Sequence, residues 1–294
     1  MKKVVVDAPA KVNLGLEVIG RRADGYHDIR SVMAMLRLAD RLFIFEDDNE
    51  FNDEVVGVAG RENLIRKALM RYREVVPTSG PLGWRIEKRI PAAAGLGGAS
   101  SDAAAALIGA NALANDALSS QGLLLLASDL GSDVPFFLGT PVAVASGRGT
   151  DLDPLPPISG GVILVVPDFT LEAKTLSMYG ALRPADFGDG IAADRVGVAL
   201  AAGRMPSCRE LRNSFSRAAV EKIPVLQSLW KSLDRLNIGA FGLTGAGPAT
   251  YVLIDPHLDR TEAAQSLRAA VSPGLRVIET AFRREPLIAR PDID

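Results

Sequence analysis

Residues 91–106 read PAAAGLGGASSDAAAA, a glycine-rich bend running into an alanine-rich helix, and no other stretch limits the fold as strongly. Gly95, Gly97 and Gly98 open backbone conformations closed to other residues and let an anion approach the main chain. Ser100, Ser101 and Asp102 are residue types that start helices, so the helix is expected to begin there. Its unpaired N–H groups and positive dipole end then face whatever the loop encloses, which suits a polyphosphate. Two common nucleotide motifs fail on spacing. The P-loop needs Gly-Lys-Ser/Thr at its end, whereas Ser100 follows Ala99, and the dinucleotide fingerprint needs a third glycine where Ser100 stands. By itself the loop is either a capped helix after a flexible turn or a phosphate cradle of a less common kind.

With 294 residues, 48% of them apolar, the chain is long enough for two domains with buried cores. Thirty-three basic residues against 35 acidic ones leave a net charge of −2. That balance argues against nucleic-acid or membrane-surface binding driven by net charge. Cys208 is the only cysteine and His27 and His257 the only histidines, which excludes an internal disulfide and a histidine-rich zinc site. The start MKKVVV mimics a signal peptide, but Asp7 and Lys11 interrupt the apolar run, and no stretch approaches the roughly 20 apolar residues of a membrane span. The expectation is a cytoplasmic protein, monomeric or weakly dimeric.

Val12, Leu14, Leu16 and Val18 alternate with Lys11, Asn13, Gly15 and Glu17, the pattern of a half-buried strand. Asp24-Gly25 centres a turn, and 29–36 and 42–45 read as two further strands. Asn63 opens a helix, 84–90 is a strand feeding the glycine loop, and 121–130 is a helix stopped by Gly131. The Pro-rich run 153–157 marks a domain boundary, giving domains 1–157 and 158–294. Beyond it come a strand at 162–166, helices near 170–182, 194–201 and 214–236, and two final strands flanking 244–247. The irregular alternation favours an α+β fold over a doubly wound parallel sheet.

Three separated motifs occur in order: APAKVNL (8–14), the glycine loop, and LTGAGP (243–248). Together they resemble the GHMP kinase superfamily, named for galactokinase, homoserine kinase, mevalonate kinase and phosphomevalonate kinase. GRRADGYH (20–27) is similar to the branch acting on a cytidylyl-linked methylerythritol, and SDVPFFL (132–138) extends the likeness over nearly the whole chain. The resemblance implies a ribosomal-protein-S5-like N-terminal domain joined to a ferredoxin-like C-terminal domain, with the site in the cleft between them. It also implies phosphoryl transfer from ATP to the 2-hydroxyl of that small-molecule substrate, in the non-mevalonate isoprenoid pathway.

Residue by residue, the resemblance makes Lys11 and Asp133 the catalytic pair. Alone, Asp133 reads as a helix cap ahead of Val134-Pro135 and Lys11 as a solvated strand residue. A nearby ammonium stabilises an ionised carboxylate, which can orient the hydroxyl and accept its proton as the P–O bond forms. Asn63 and Lys88 match positions beside the adenosine. Pro91, Ala92, Ala93, Ala94, Gly95, Leu96, Gly97, Gly98, Ala99, Ser100 and Ser101 form the implied phosphate cradle, with Ser101 a direct or water-mediated contact to magnesium. Tyr26 and His27 form a nucleobase platform or, blandly, pack on the hairpin. Thr175 and Tyr179 stand four apart on one helix face and match the cytidine pocket, so Tyr26 and Tyr179 are expected to sandwich the base, and Asn13 matches a substrate contact.

Three departures stand out. Ala92, Ala93 and Ala94 replace the glycines or larger residues frequent in relatives, Thr244 replaces a serine, and NSF (213–215) departs from the usual stretch, so no site residue is assigned there. No acidic magnesium ligand is evident. The rivals are a homoserine or mevalonate kinase, a non-catalytic nucleotide sensor and, more remotely, a dehydrogenase.

Overall fold

Two unusually long strands organise the chain: β1 (Lys3–Arg21) and β2 (His27–Glu46) run antiparallel through a tight turn. The structure is a computed structural model describing residues 2–46, 53–54, 63–77, 81–168 and 174–292. After β2 come β3 (Asp53–Glu54), α1 (Leu64–Val75), β4 (Leu82–Glu87), α2 (Gly98–Leu113), α3 (Ser120–Leu130), α4 (Val134–Leu138), β5 (Val142–Ser146) and β6 (Asp151–Pro154). Then follow β7 (Gly161–Pro167), α5 (Lys174–Gly180), α6 (Ile191–Ala201), α7 (Ser216–Lys222), α8 (Val225–Leu236), β8 (Gly239–Leu243), β9 (Thr250–Ile254), α9 (Arg260–Ala270), β10 (Leu275–Ala281) and β11 (Ala289–Pro291).

Among the described residues the strands form two sheets. The first has the order β11-β1-β2-β4-β3, with β5 on β2 and β6 on β5; the second has the order β10-β7-β9-β8. The last strand thus returns to the first sheet. Helices α1 to α4 cover one face of the first sheet over a core that includes Met33, Met35, Leu42, Ile44, Trp84 and Phe137. The two sheets share a second core, where Val12, Leu14 and Ala34 meet Leu164, Tyr251 and Leu253. Helices α7 to α9 close the outer face of the second sheet with Leu226, Leu229, Leu233 and Leu267. Buried alanines 103–106 make α2 narrow enough to lie close on β1 and β2; a Cβ at Gly109 would stand 2.4 Å from Ile44 Cδ1.

Several expectations change. β1 is buried on both faces, because its alternating polar residues lie under the glycine loop and the second sheet's turns: Lys11 is 4% exposed and Asn13 3%. The segments 29–36 and 42–45 are one continuous strand. Helix α2 starts at Gly98, not at Ser100–Asp102, since left-handed Gly97 (φ 71°) turns the chain into it. The helix expected over 214–236 breaks into α7 and α8 at Ile223-Pro224, as proline dictates. Residues 88–90 lie past the end of β4, and the segment 153–157 begins inside β6. The strands around 244–247 are not final, as α9, β10 and β11 follow. Of the helix near 170–182, residues 169–173 lie outside the described residues. Asn63 and Gly131 end their helices where expected. Among the described residues no helix is long and apolar enough to cross a membrane.

Candidate active site

A register shift between Pro9 and Lys11 decides where the polar face of β1 points. Before it, Val6 and Ala8 enter the core under the helices; after it, Ala10, Val12 and Leu14 enter the core between the sheets. Across it the pairing offset changes by two residues, from Pro9 with Ala39 to Lys11 with Met35, and the side chains beyond take the opposite face. Lys11 and Asn13 therefore face α2, and a Cβ on Gly97 would lie 2.9 Å from Lys11 Cγ.

The loop before α2 is fastened at several points. Lys11 N–H donates to Leu96 O (2.9 Å), and Ala249 N–H to Ala94 O (3.1 Å). Thr244 Oγ1 donates to Gly95 O (3.2 Å) and accepts from Asn13 N–H (3.1 Å). Asn213 Nδ2 donates to Leu243 O (2.9 Å) and Gly245 O (3.0 Å), which holds the 244–247 turn against the loop. No side chain caps α2. The N–H groups of Gly98, Ala99 and Ser100 consequently have no partner among the described residues, as the first turn of an uncapped helix requires.

On one side of this loop lies a cavity of about 460 Å³ lined by Asn63, Ile65, Ile86, Lys88, residues 90–100 and Asp102. Asn63 does cap α1, its Oδ1 accepting from Ile65 N–H (2.9 Å). Lys88 follows directly after β4, and its side chain, 27% exposed, is tied down at its tip. Its ammonium bonds Asp40 (2.5 Å) and Asp102 (2.6 Å), and Asp40 also accepts from the N–H groups of Arg89 and Ile90 (2.5 and 2.8 Å). Burial lowers the Lys88 pKa, but Asp102 and Asp40 outweigh it and leave a net rise. Burial raises Asp102 well above the carboxylate range; Lys88 opposes that shift and Asp40 adds to it. Asp102 Oδ1 and Ser101 Oγ are buried without partners.

On the other side lies a cavity of about 640 Å³ lined by Lys11, Asn13, Tyr26, His27, Asp133, Arg148, Tyr179 and Phe215 among others. Lys11 Nζ donates to Asn13 Oδ1 (2.6 Å) and stands 3.4 Å from Asp133 Oδ2. Asn13 is held in turn by Gly245 N–H, which donates to its Oδ1 (3.1 Å), and by Ser31 Oγ, which accepts from its Nδ2 (2.8 Å). Asp133 opens α4 but makes no capping bond, so its carboxylate stays available at 37% exposure. His27 stacks on Tyr179 (centroids 4.5 Å, 28°), and Tyr179 meets Phe215 edge-on at 4.9 Å. Burial, then Asp133, pushes the Tyr179 hydroxyl up to about 12. Tyr26, 52% exposed, faces the Arg148 guanidinium at 3.5 Å. Tyr26 and Tyr179, the two rings expected to sandwich the base, both line this cavity, and each stacks on another partner, Tyr179 on His27 and Tyr26 on Arg148. Thr175 lies on α5, but its side chain is outside the described residues.

Gly95, Gly97 and Ser100 line both cavities. The GHMP kinases N terminal domain family matches residues 63–140, and the GHMP kinases C terminal family matches 198–272. A 4-diphosphocytidyl-2-C-methyl-D-erythritol kinase of Thermus thermophilus is 38% identical over 264 residues, 89% of this chain and 92% of the relative. The chain belongs to the 4-diphosphocytidyl-2-C-methyl-D-erythritol kinase family. Another such kinase, from Dehalococcoides mccartyi, is 36% identical over 84% of this chain and 88% of its own length. The crystal structure of a 4-(cytidine 5'-diphospho)-2C-methyl-D-erythritol kinase superposes with TM-score 0.80 at 36% identity, covering 95% of this chain and 98% of that one. Homoserine kinase from Cytophaga hutchinsonii, at 17% identity and TM-score 0.74 over 99% and 98% of the two chains, shares the fold.

Membership of this kinase family makes the chain a GHMP-type phosphotransferase of α+β fold. Sequence reasoning missed Asp40, Asp102, Ser31, Asn213 and Arg148. Only Asp102 carried a local signal, its place beside the glycine loop; the others reach the site through pairings distant in sequence.

Proposed function

We propose that this chain transfers the terminal phosphoryl group of ATP to the 2-hydroxyl of 4-diphosphocytidyl-2-C-methyl-D-erythritol, giving the 2-phosphate and ADP in isoprenoid precursor synthesis. The observation that carries the reading is the sharing of Gly95, Gly97 and Ser100 by two cavities of different character. One cavity has apolar walls suited to an adenine, and the other has an aromatic stack beside a lysine–aspartate pair.

In this reading the free N–H groups at the start of α2 bind the phosphates. Asp133 orients the substrate hydroxyl and accepts its proton as the new P–O bond forms and the bond to the ADP oxygen breaks. A loose transition state demands little of the nucleophile, so positioning dominates. The Lys11 ammonium, fixed by Asn13, stabilises the transferring group's charge. The cytosine lies on an open face of the His27–Tyr179 stack, whose rings at 4.5 Å leave no room between them. Among the described residues no three His, Cys, Asp or Glu side chains gather as a metal site. Magnesium arriving on the nucleotide asks for few protein ligands; of the loop's two hydroxyls, that of Ser100 belongs to a residue lining both cavities, whereas Ser101 is buried, unpartnered and lines neither. When bound, the ion neutralises charge on the β- and γ-phosphate oxygens. We further propose domains 1–157 and 158–294, with β11 crossing back from the second into the sheet of the first, a cytoplasmic location and a monomer or weak homodimer that binds no nucleic acid.

The test is ADP release from ATP and magnesium with 4-diphosphocytidyl-2-C-methyl-D-erythritol beside homoserine and mevalonate. Turnover with the cytidylyl substrate alone supports the reading. Turnover only with another alcohol keeps the fold and discards the cytidine pocket, and ATP binding without turnover favours a sensor.

A further inference from the structure

Arg148 belongs to the short turn between β5 and β6, flanked by Gly147 (φ 61°) and Gly149 (φ 94°). That turn is anchored to the start of β2. Ile29 N–H donates to Gly147 O (2.8 Å), and a Cβ on Gly149 would stand 3.3 Å from Ile29 Cδ1. The anchoring sends the exposed Arg148 side chain across the mouth of the acceptor cavity, its guanidinium 3.5 Å from the Tyr26 ring.

The charges around that cavity are unequal in their commitments. Lys11 is buried and engaged with Asn13 and Asp133. His27 is held below the usual histidine range by burial and then by Arg21, so it is neutral at pH 7. Arg148 has no carboxylate at ion-pair distance among the described residues. It acts at longer range on Asp24, whose carboxylate already accepts from Tyr26 N–H (3.0 Å) and Arg22 (3.1 Å). Among the described residues, Arg148 is therefore the lining cation of this cavity without an anionic partner. Its planar fork matches phosphate oxygens in pairs, and stacking on an aromatic face leaves its N–H edge free for them.

We infer that Arg148 is the ligand of the substrate's diphosphate, reading the linkage between the nucleoside and the reacting alcohol from its perch on Tyr26. The inference rests on the reading of this cavity as a cytidylyl site. It assigns Arg148 a binding role and none in the chemical step.

The experiment measures binding of cytidine and of CDP to the full chain by calorimetry, for the wild type, Arg148→Gln and Arg148→Lys. The wild type should bind CDP more tightly than cytidine. Arg148→Gln should weaken CDP about tenfold to a hundredfold, as for a lost charge-assisted bond, and leave cytidine unchanged. Arg148→Lys should fall between them, since it keeps the charge and loses the fork. In turnover the Gln variant should raise the KM of the cytidylyl substrate and leave that of ATP alone. Equal weakening of cytidine and CDP would mean that Arg148 only supports Tyr26 and would overturn the inference, as would unchanged binding of both. A wild type that binds neither ligand overturns the cytidylyl reading itself, and the inference falls with it.

Discussion

Gly95 tests whether the glycine loop and the 244–247 turn work as one unit. Its φ of +84° is in the left-handed region, and a Cβ would stand 2.4 Å from Thr244 O and 2.8 Å from Gly247 O. The nearer contact is a full ångström short of the 3.4 Å where ordinary contact begins, and both obstacles are backbone atoms. They cannot swing aside, because Asn213 and the Ala249–Ala94 bond fix the turn against the loop. For Gly95→Ala we add about 1–2 kcal/mol for a left-handed alanine and about 1–3 kcal/mol for overpacking. The sum, about 2–5 kcal/mol, corresponds to a Tm drop of about 5–15 °C for a chain of this size. Displacing the phosphate cradle by an ångström should also lower kcat about a hundredfold. Gly98→Ala is the control. Its Cβ meets only the Ile90 side chain at 3.2 Å and Asp40 Oδ2 at 3.7 Å, so its Tm should stay within about 4 °C. Thermal melts and ADP-release kinetics on both variants decide the matter. A Gly95→Ala protein with wild-type Tm and kcat would refute the claim that loop and turn are locked together.

Asp133→Asn should cost more than about 3 kcal/mol in kcat/KM, since it removes a positioned base, with little change in Tm because the carboxylate caps nothing; a loss under tenfold would remove Asp133 from the role. Tyr179→Ala should raise the KM of the cytidylyl substrate and leave that of ATP nearly unchanged, because its ring lines the acceptor cavity alone; equal effects on both would contradict the assignment. Burial, and after it Asp40, holds Asp102 above its unfolded pKa despite Lys88, so the folded state binds the extra proton and its stability falls as pH rises above about 4. Melts of Asp102→Asn and wild type from pH 5 to 8 should show the variant gaining relative stability with pH, and a constant difference would show that Asp102 does not titrate in this way.

What the sequence made legible is local. Asn63 and Gly131 end their helices as expected because caps act on neighbouring N–H and C=O groups. The family resemblance, and no local pattern, paired Lys11 with Asp133, and the fold sets them 3.4 Å apart. The polar face of β1 looked solvated because alternation reports only that two faces differ, not what covers the second. The register shift after Pro9 depends on pairing with β2 and leaves no mark in composition. Asn13 and Thr244, 231 positions apart, could not be paired by any local pattern. Asp40 falls between the strands expected at 29–36 and 42–45, yet it is fully buried under the loop it anchors.

The misplaced helix start carries the most chemistry. Ser100, Ser101 and Asp102 are good capping residues, and a helix beginning there would satisfy its own first N–H groups with their oxygens. Gly97 instead turns the chain earlier, through a conformation that costs glycine little. Each capping residue then falls inside α2, where its side chain cannot reach the first turn. The result is three free N–H groups facing the cavity, a Ser101 hydroxyl without a partner and an Asp102 carboxylate joined to Lys88. A conventional serine cap would have stabilised the helix by about 1 kcal/mol while occupying the donors that a phosphate needs. Leaving α2 uncapped therefore costs some stability, which a nucleotide bound at this helix start, as proposed, would restore. That is the physical ground for expecting ATP to raise the Tm through this helix, and for its loss to follow damage at Gly95 or Gly97.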